Sequence, residues 1–208
     1  MGVAMKHTPI LLLTLVAASA AAAPAAGLNY DRVEVGYLSN DALKGYSFGA
    51  TAELGHSGVL VSGVYADVDG KGDIAGYGGY ETGFGLAYKF NVGPGDLAVG
   101  FSYVQGQFGS GSGVAVAEQK GFGVQYRQAI GSSFEVLAGY QRVRTNIGAL
   151  EVDGFGNIYA GVATSSVNVF NVGVRYNVTS NFDVTLGYTF QNLAAGGDTF
   201  AVSAGYSF

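Results

Sequence analysis

Tyr80-Glu-Thr-Gly-Phe-Gly-Leu-Ala-Tyr-Lys-Phe90 is the stretch that decides the fold, because large apolar residues alternate in it with glycine, alanine and charged residues. Phe84 and Phe90 fall on one face of an extended strand, whereas Glu81 and Lys89 fall on the other. A period of two predicts a β-strand with one apolar face. The alternation recurs from residue 28 to the last residue, so the sequence predicts an all-β fold.

The low charge content indicates where the apolar faces point. Only 12% of the residues are charged, against roughly 25% in a typical soluble domain. The apolar faces therefore point toward lipid, and each strand is long enough to cross a bilayer when tilted. The pattern predicts a transmembrane antiparallel up-and-down β-barrel of ten strands, with eight as the alternative. The ten strands are expected at 28–39, 44–54, 58–68, 79–91, 95–106, 119–130, 133–144, 165–177, 181–191 and 198–208.

The links between these strands alternate in length. Four are tight turns rich in Gly, Pro, Asn and Ser, at 55–58, 91–96, 131–133 and 178–181. The five others are mostly longer, at 40–45, 69–78, 107–118, 145–164 and 192–197. Short periplasmic turns and long external loops are typical of bacterial outer-membrane barrels. An even strand number then predicts that both termini are periplasmic.

The N-terminal segment has the pattern of a secretory signal peptide. Lys6 and His7 precede the apolar run at 10–16, and small residues follow it. We predict a signal peptide at 1–22, with cleavage between residues 20 and 26, and a barrel at 28–208.

The C-terminal hexapeptide at 203–208 resembles the assembly signal of outer-membrane barrels. The positions that carry the resemblance are Ser203, Gly205, Tyr206 and Phe208. The chain is similar in size and layout to the small outer-membrane β-barrel superfamily of Gram-negative bacteria, of the porin-like, OmpA/OmpX type. The resemblance implies a location in the outer membrane, contact with its lipid and lipopolysaccharide, and recognition by the barrel-assembly machinery.

Catalytic and metal chemistry find little support in the sequence. The chain has two histidines, His7 in the predicted signal peptide and His56 in a predicted turn, so no histidine dyad can form and we predict no enzyme and no cofactor. Asp67, Asp69 and Asp73 are expected at an external loop tip. Their spacing is similar to that of a calcium loop without its bidentate glutamate, so a solvated acidic tip is favoured over a metal site. The net charge of −5 argues against nucleic-acid binding.

The charged residues on the inward face are expected to line the lumen. They are Arg32, Glu34, Glu53, Glu81, Lys89, Arg127, Glu135, Arg175 and Asp183. Charges in a narrow barrel must pair or stay hydrated, so they form either a salt-bridged plug or a narrow wet channel. Inward glycines such as Gly139 and Gly205 are expected to leave space for water.

Two functions follow from this sequence. The first is a non-enzymatic, porin-like pore for small solutes, with a narrow charged lumen. The alternative is a structural or surface-interaction barrel, adhesin-like, with a plugged lumen and an unknown surface partner. It would act through external hairpins, above all one that turns at 153–157 and presents Phe155 and Tyr159.

Overall fold

The computed structural model describes residues 30–55, 57–72, 75–110, 113–152, 155, 157–191 and 197–208. Ten β-strands make up almost all of these residues. They are β1 (Arg32–Ser39), β2 (Leu43–Glu53), β3 (Val59–Gly70), β4 (Gly78–Val92), β5 (Gly95–Ser110), β6 (Gly113–Ile130), β7 (Phe134–Val152), β8 (Ile158–Asn177), β9 (Phe182–Gln191) and β10 (Thr199–Ser207). Within the described ranges, no helix is long and apolar enough to cross a membrane.

The strands form one closed barrel in which every strand pairs antiparallel with its neighbours in the chain. The barrel closes where β1 meets β10, along a register that runs from Arg32 opposite Ser207 to Ser39 opposite Phe200. The predicted ten-stranded up-and-down barrel is therefore confirmed, and the alternative of eight strands is wrong. Closure pairs the backbone of every strand on both sides, which a membrane requires of a β-structure.

The two ends of the barrel differ. One end, here called the turn end, carries the start of β1, the end of β10 and the four short links β2–β3, β4–β5, β6–β7 and β8–β9. Gly93 and Gly131 take positive φ angles of 60° and 67° in two of these links. A left-handed backbone of this kind is available to glycine at little cost, so the glycines permit the tight reversals. The opposite end is called the hairpin end.

The wall rises above the rest of the barrel along β5 to β8. The predicted hairpin of the seventh and eighth strands is confirmed, because β7 and β8 stay paired up to Val152 opposite Ile158. The loop predicted at 107–118 is wrong, because β5 and β6 continue as a paired hairpin up to Ser110 opposite Gly113. The physical reason is the neighbouring strand, because β7 is long enough to offer backbone hydrogen-bond partners to residues 113–118 of β6.

The outward face of the wall is apolar and rich in aromatic residues. Most outward aromatic side chains are exposed because they point away from the lumen, as expected for a surface that faces lipid. Many pack against a neighbour on the same face, for example Phe84 with Tyr103 and Tyr140 with Phe170, at ring-centroid distances of 5.6 and 4.9 Å. Residues of opposite parity point inward, so the charged residues among them meet inside the barrel.

Candidate functional site

A continuous network of ion pairs fills the lumen near the turn end. We call it the charge belt, and its members in order along the network are Glu34, Arg32, Asp183, Arg175, Glu135 and Arg127. Arg32 binds Glu34 at 2.5 Å and holds Asp183 through two nitrogens, at 2.7 and 3.1 Å. Arg175 lies between Asp183 and Glu135, at 3.3 and 3.6 Å. Arg127 donates to Glu135 from Nε at 2.8 Å and also from Nη2. Three cations thus face three carboxylates.

Further polar groups complete the coordination of the charge belt. Ser203 Oγ donates to Glu34 at 3.3 Å, and Asn177 Nδ2 donates to Glu135 at 3.2 Å. Thr185 Oγ1 accepts from Arg175 Nε at 3.0 Å. Buried charges are tolerated when they are paired and hydrogen-bonded in this way. The belt is therefore an ordered electrostatic structure that crosses the lumen.

Tyr30 occupies part of the lumen at the level of the charge belt. Its side chain is only 2% exposed and packs against Leu60, Ala87 and Ala98, which all face inward. Its hydroxyl donates to Asp96 at 3.2 Å, and Lys89 Nζ lies 4.4 Å from the centre of its ring. Tyr30 therefore lies inside the mouth of the barrel at the turn end, just before β1 begins.

Glu53 connects a second group of residues, Tyr30, Asp96 and Lys89, to the barrel wall. Lys89 Nζ binds Glu53 at 2.7 Å, while the other oxygen of Glu53 accepts from the backbone of Gly58 at 2.9 Å. Asp96 of β5 is the register partner of Arg127 on β6, so the two groups are neighbours along the wall. Together they bring charged side chains from eight of the ten strands to one end of the lumen. Tyr30 and Asp96 were missed by the sequence analysis, which assigned Tyr30 to the first strand and Asp96 to a turn.

The inward glycines hold neighbouring side chains rather than open space. A Cβ added at Gly205 would collide with the guanidinium of Arg32, and one at Gly139 would collide with the side-chain amide of Asn171. The expected water-filled space is thus occupied at these positions by the side chains that the glycines admit.

A partly open cavity of about 140 Å³ lies between the charge belt and the hairpin end. Its lining includes Ser47, Gln125, Asn171 and Thr185, and also the aliphatic side chain of Leu137. Asn171 Oδ1 is buried and has no hydrogen-bond partner among the described residues. A cavity of this size with a buried, unsatisfied acceptor suits ordered water.

Apolar side chains fill the lumen above the cavity. We call this group the apolar cap; it comprises Leu38, Leu43, Val68, Phe108, Ala117 and Ile147. Phe108 packs against both halves of the cap and so joins β1, β2 and β3 to β6 and β7. The cap was missed by the sequence analysis, although the apolar residues on the inward face of the third strand, such as Ala66 and Val68, are a signal for it.

Glu81 lies inside the barrel at the level of the apolar cap. It is fully buried, and Gln119 Nε2 donates to its Oε1 at 3.4 Å. The structure therefore separates Glu81 from the charge belt and from the pair of Glu53 and Lys89, although the sequence analysis grouped all of these as lumen charges.

The β8 strand presents a free edge above the hairpin end. Pairing with β9 begins at Val169 opposite Gln191, so residues 160–168 have no strand partner among the described residues on the side away from β7. This segment contains no charged residue and no proline. Val162 on this edge is 87% exposed, and Phe155 in the adjoining turn is 94% exposed. Tyr159 lies in β8 and is also exposed, at 47%.

Other predicted site residues lie apart from the lumen. Asp67 and Asp69 are in β3, on its exposed outward face, not in a loop tip, because β2 and β4 continue to pair with that part of the strand. Asp73, His56 and the predicted signal peptide lie outside the described residues. In the described part of the chain, no group of three or more His, Cys, Asp or Glu residues could hold a metal ion.

The four residues of the predicted assembly signal lie at the end of β10. Ser203 and Gly205 face inward and contact Glu34 and Arg32, as described above. Tyr206 and Phe208 are exposed on the outward side. The backbone of Phe208 donates to the carbonyl oxygen of Asp31 at 3.1 Å, so the last residue is hydrogen-bonded to the chain just before β1.

The fold and the outward apolar face define a ten-stranded transmembrane β-barrel of the outer-membrane class. No family model and no curated protein matches the sequence. Solved structures with a similar fold include the KdgM porin, with 15% identity over 85% of this chain and 99% of that chain and a TM-score of 0.41.

Two further structures belong to proteins with other roles. The attachment invasion locus protein Ail of Yersinia pestis is 16% identical over 86% of this chain and 99% of that chain, with a TM-score of 0.43. The outer-membrane protease OmpT of Escherichia coli is 11% identical over 85% and 93%, with a TM-score of 0.45. Function must be argued from the site itself.

Proposed function

We propose that this chain is a surface-interaction barrel of the bacterial outer membrane, with a closed lumen and with the hairpin end facing the cell exterior. The observation that carries the proposal is the filling of the lumen at two levels. The charge belt and Tyr30 occupy the turn end, and the apolar cap occupies the hairpin end. A solute would have to displace both groups, which makes the second of the two predicted functions the better one.

The orientation follows from the asymmetry of the links. Short turns at one end and long hairpins at the other are typical of outer-membrane barrels, with the short turns and both termini in the periplasm. In this orientation the tall part of the wall, from β5 to β8, projects from the cell.

The free edge of β8 supports binding of an extended polypeptide by strand addition. Natural edge strands are usually protected by lysine, proline, bulges or short length. Residues 160–168 have none of the charge or proline protection, and their amide and carbonyl groups on the side away from β7 are available to a partner strand. Exposed Val162 and Phe155 add apolar contact area beside that edge.

We also propose that the barrel acts without catalysis. The chain contains two histidines, and neither lies in the lumen segments that gather the charged residues. The carboxylates of the charge belt are held by arginines, an arrangement suited to stability more than to proton transfer.

Conductance of the purified barrel in a planar bilayer tests the closed lumen. The wild type is expected to give no discrete current steps. A variant that truncates one large side chain of each closure, Tyr30→Ala with Phe108→Ala, is expected to conduct and would show that the assay detects a lumen of this width. Discrete salt-dependent steps from the wild type, altered by Arg127→Ala, would instead establish the pore.

Binding of an uncharged extended peptide tests the β8 edge. The probe is an immobilised peptide of alternating threonine and valine, which favours the extended conformation. Val162→Lys is expected to abolish retention of the barrel, because a lysine on an edge strand opposes pairing. The matched control is Val116→Lys, an exposed valine of β6 that is already paired on both sides. Equal retention of both variants would refute a role for the edge.

A further inference from the structure

Three cations lie together on the outward face of the wall, near the hairpin end. Lys120 of β6 is the direct register partner of Arg144 on β7, and Arg142 is the partner of Phe122. All three cationic side chains are exposed and point away from the lumen. The whole chain has only ten lysines and arginines and is acidic overall. A local concentration of positive charge on this face is therefore a specific feature. We call it the basic patch.

The basic patch lies at the upper border of the apolar belt. Tyr103 is the register partner of Lys120, and Phe122 and Tyr140 are the nearest outward aromatics of β6 and β7 toward the turn end. Lys120 Nζ lies 5.8 Å from the centre of the Tyr103 ring. On the outward face of β7, Arg142 and Arg144 are the next two outward residues beyond Tyr140. The cations are thus placed where lipid tails end and headgroups begin.

Asn168 of β8 orients part of the patch. Its Oδ1 accepts from Arg142 Nη1 at 3.2 Å and from the hydroxyl of Tyr140 at 3.0 Å. The guanidinium of Arg142 is therefore held beside the aromatic border, and its remaining N–H groups are free to bind an anion. The fork geometry of these donors suits the oxygens of a phosphate group.

The positive charges of the patch are only partly balanced by the protein. Like charges directly opposite each other on paired strands are destabilising, and Lys120 faces Arg144 in this way. Glu118 binds Lys120 at 2.5 Å, which offsets one of the three positive charges. Arg142 and Arg144 form no ion pair with any described residue. An external anion would relieve the remaining repulsion.

We propose that the basic patch binds the phosphate groups of a lipid in the outer leaflet, namely lipopolysaccharide. The anion must approach from the side of the barrel, because the patch lies on the lipid-facing wall and directly borders the aromatic belt. A lipid can place its phosphate there while its acyl chains cover Phe122 and Tyr140, whereas free phosphate gains nothing from that apolar border. This site does not depend on whether the barrel is a pore or an interaction protein.

Lipid binding to the purified, folded barrel tests the site. The probes are lipid A with its phosphates and the same lipid after enzymatic removal of the phosphates, and the number bound is read by native mass spectrometry. The double variant Arg142→Gln/Arg144→Gln is expected to bind phosphorylated lipid A at least about tenfold more weakly, since two charge-assisted contacts are lost. It is expected to bind the dephosphorylated lipid as the wild type does.

Two matched variants keep the test decisive. Lys44→Gln removes another exposed, outward cation at the hairpin end, outside the patch, and is expected to leave lipid A binding unchanged. Glu118→Gln removes the competing carboxylate and is expected to tighten binding. Heat-modifiable gel migration verifies that each variant is folded.

Three results would overturn the proposal. The first is an equal loss of binding for both forms of the lipid, and the second is an effect of Lys44→Gln as large as that of the double variant. The third is competition by inorganic phosphate at the same concentration as lipid A, which would make free phosphate the ligand.

Discussion

Replacing Glu135 by glutamine is expected to destabilise the barrel strongly while leaving its shape unchanged. Glu135 is almost fully buried, accepts hydrogen bonds from Arg127 and Asn177, and lies 3.6 Å from Arg175. It is also the one carboxylate within ion-pair distance of Arg127 among the described residues. Glutamine keeps one acceptor oxygen but removes the negative charge, so a buried guanidinium would be left without its counterion.

The size of this effect can be worked out from the geometry. Removing one partner of a buried ion pair costs about 3 to 5 kcal/mol, because the remaining charge stays desolvated. With a denaturant dependence of about 3 kcal/mol per molar urea for a chain of this size, the urea midpoint should fall by about 1 M or more. The chain has no tryptophan, so the transition is followed by circular dichroism of the strands in lipid vesicles.

Two further variants test whether the charge belt stabilises the barrel. Glu118→Gln breaks an exposed ion pair with Lys120 and is expected to shift the midpoint little, because water screens such pairs. Adding Arg127→Met to Glu135→Gln should restore part of the lost stability, since an apolar side chain needs no counterion. If Glu135→Gln unfolds at the same urea concentration as Glu118→Gln, the charge belt does not stabilise the barrel and the reasoning fails.

Three smaller predictions follow from the wall and the mouth. Gly123→Ala should destabilise by about 1 to 3 kcal/mol, because its new Cβ would collide with a backbone oxygen of β7, whereas Gly187→Ala has 4.0 Å of clearance and should be neutral; equal urea midpoints would contradict this. Tyr30→Phe should cost about 1 kcal/mol by removing the hydrogen bond to Asp96, and an unchanged midpoint would show that the bond is not needed. Deletion of Phe208 should lower the yield of folded barrel in the outer membrane without reducing export to the periplasm; a normal yield of heat-modifiable protein would refute its role in assembly.

The barrel itself could be predicted because a membrane wall imposes one strict pattern. Alternation such as that of Phe84, Leu86 and Tyr88 predicts both the strands and their outward faces, since each inward residue is followed by one that faces lipid. Turn glycines such as Gly93 and Gly131 predict the short links, because the reversal needs a positive φ. The strands and the short turns predicted from these local patterns therefore agree with the structure.

The contents of the lumen could not be predicted to the same extent. The sequence indicates which charges point inward, but Arg32 on β1 meets Asp183 on β9 only when β10 pairs between these two strands in the closed barrel. The position of Tyr30 in the mouth has no periodic signal, because it precedes the first strand. The apolar cap was missed because Phe108 falls in a segment predicted to be a loop.

The contact between Arg32 and Asp183 has a consequence for folding. Hairpins between consecutive strands can form one after another, but this ion pair joins residues 151 positions apart across β10. It can form only when the first and last strands meet, and contacts of such long range make folding slow. A closure shifted by two residues would separate the pair by about 6.6 Å of strand rise. The ion pair therefore favours the correct register, because a chain that closes wrongly would lose the contact between the two halves of the charge belt and leave Arg32 with Glu34 alone.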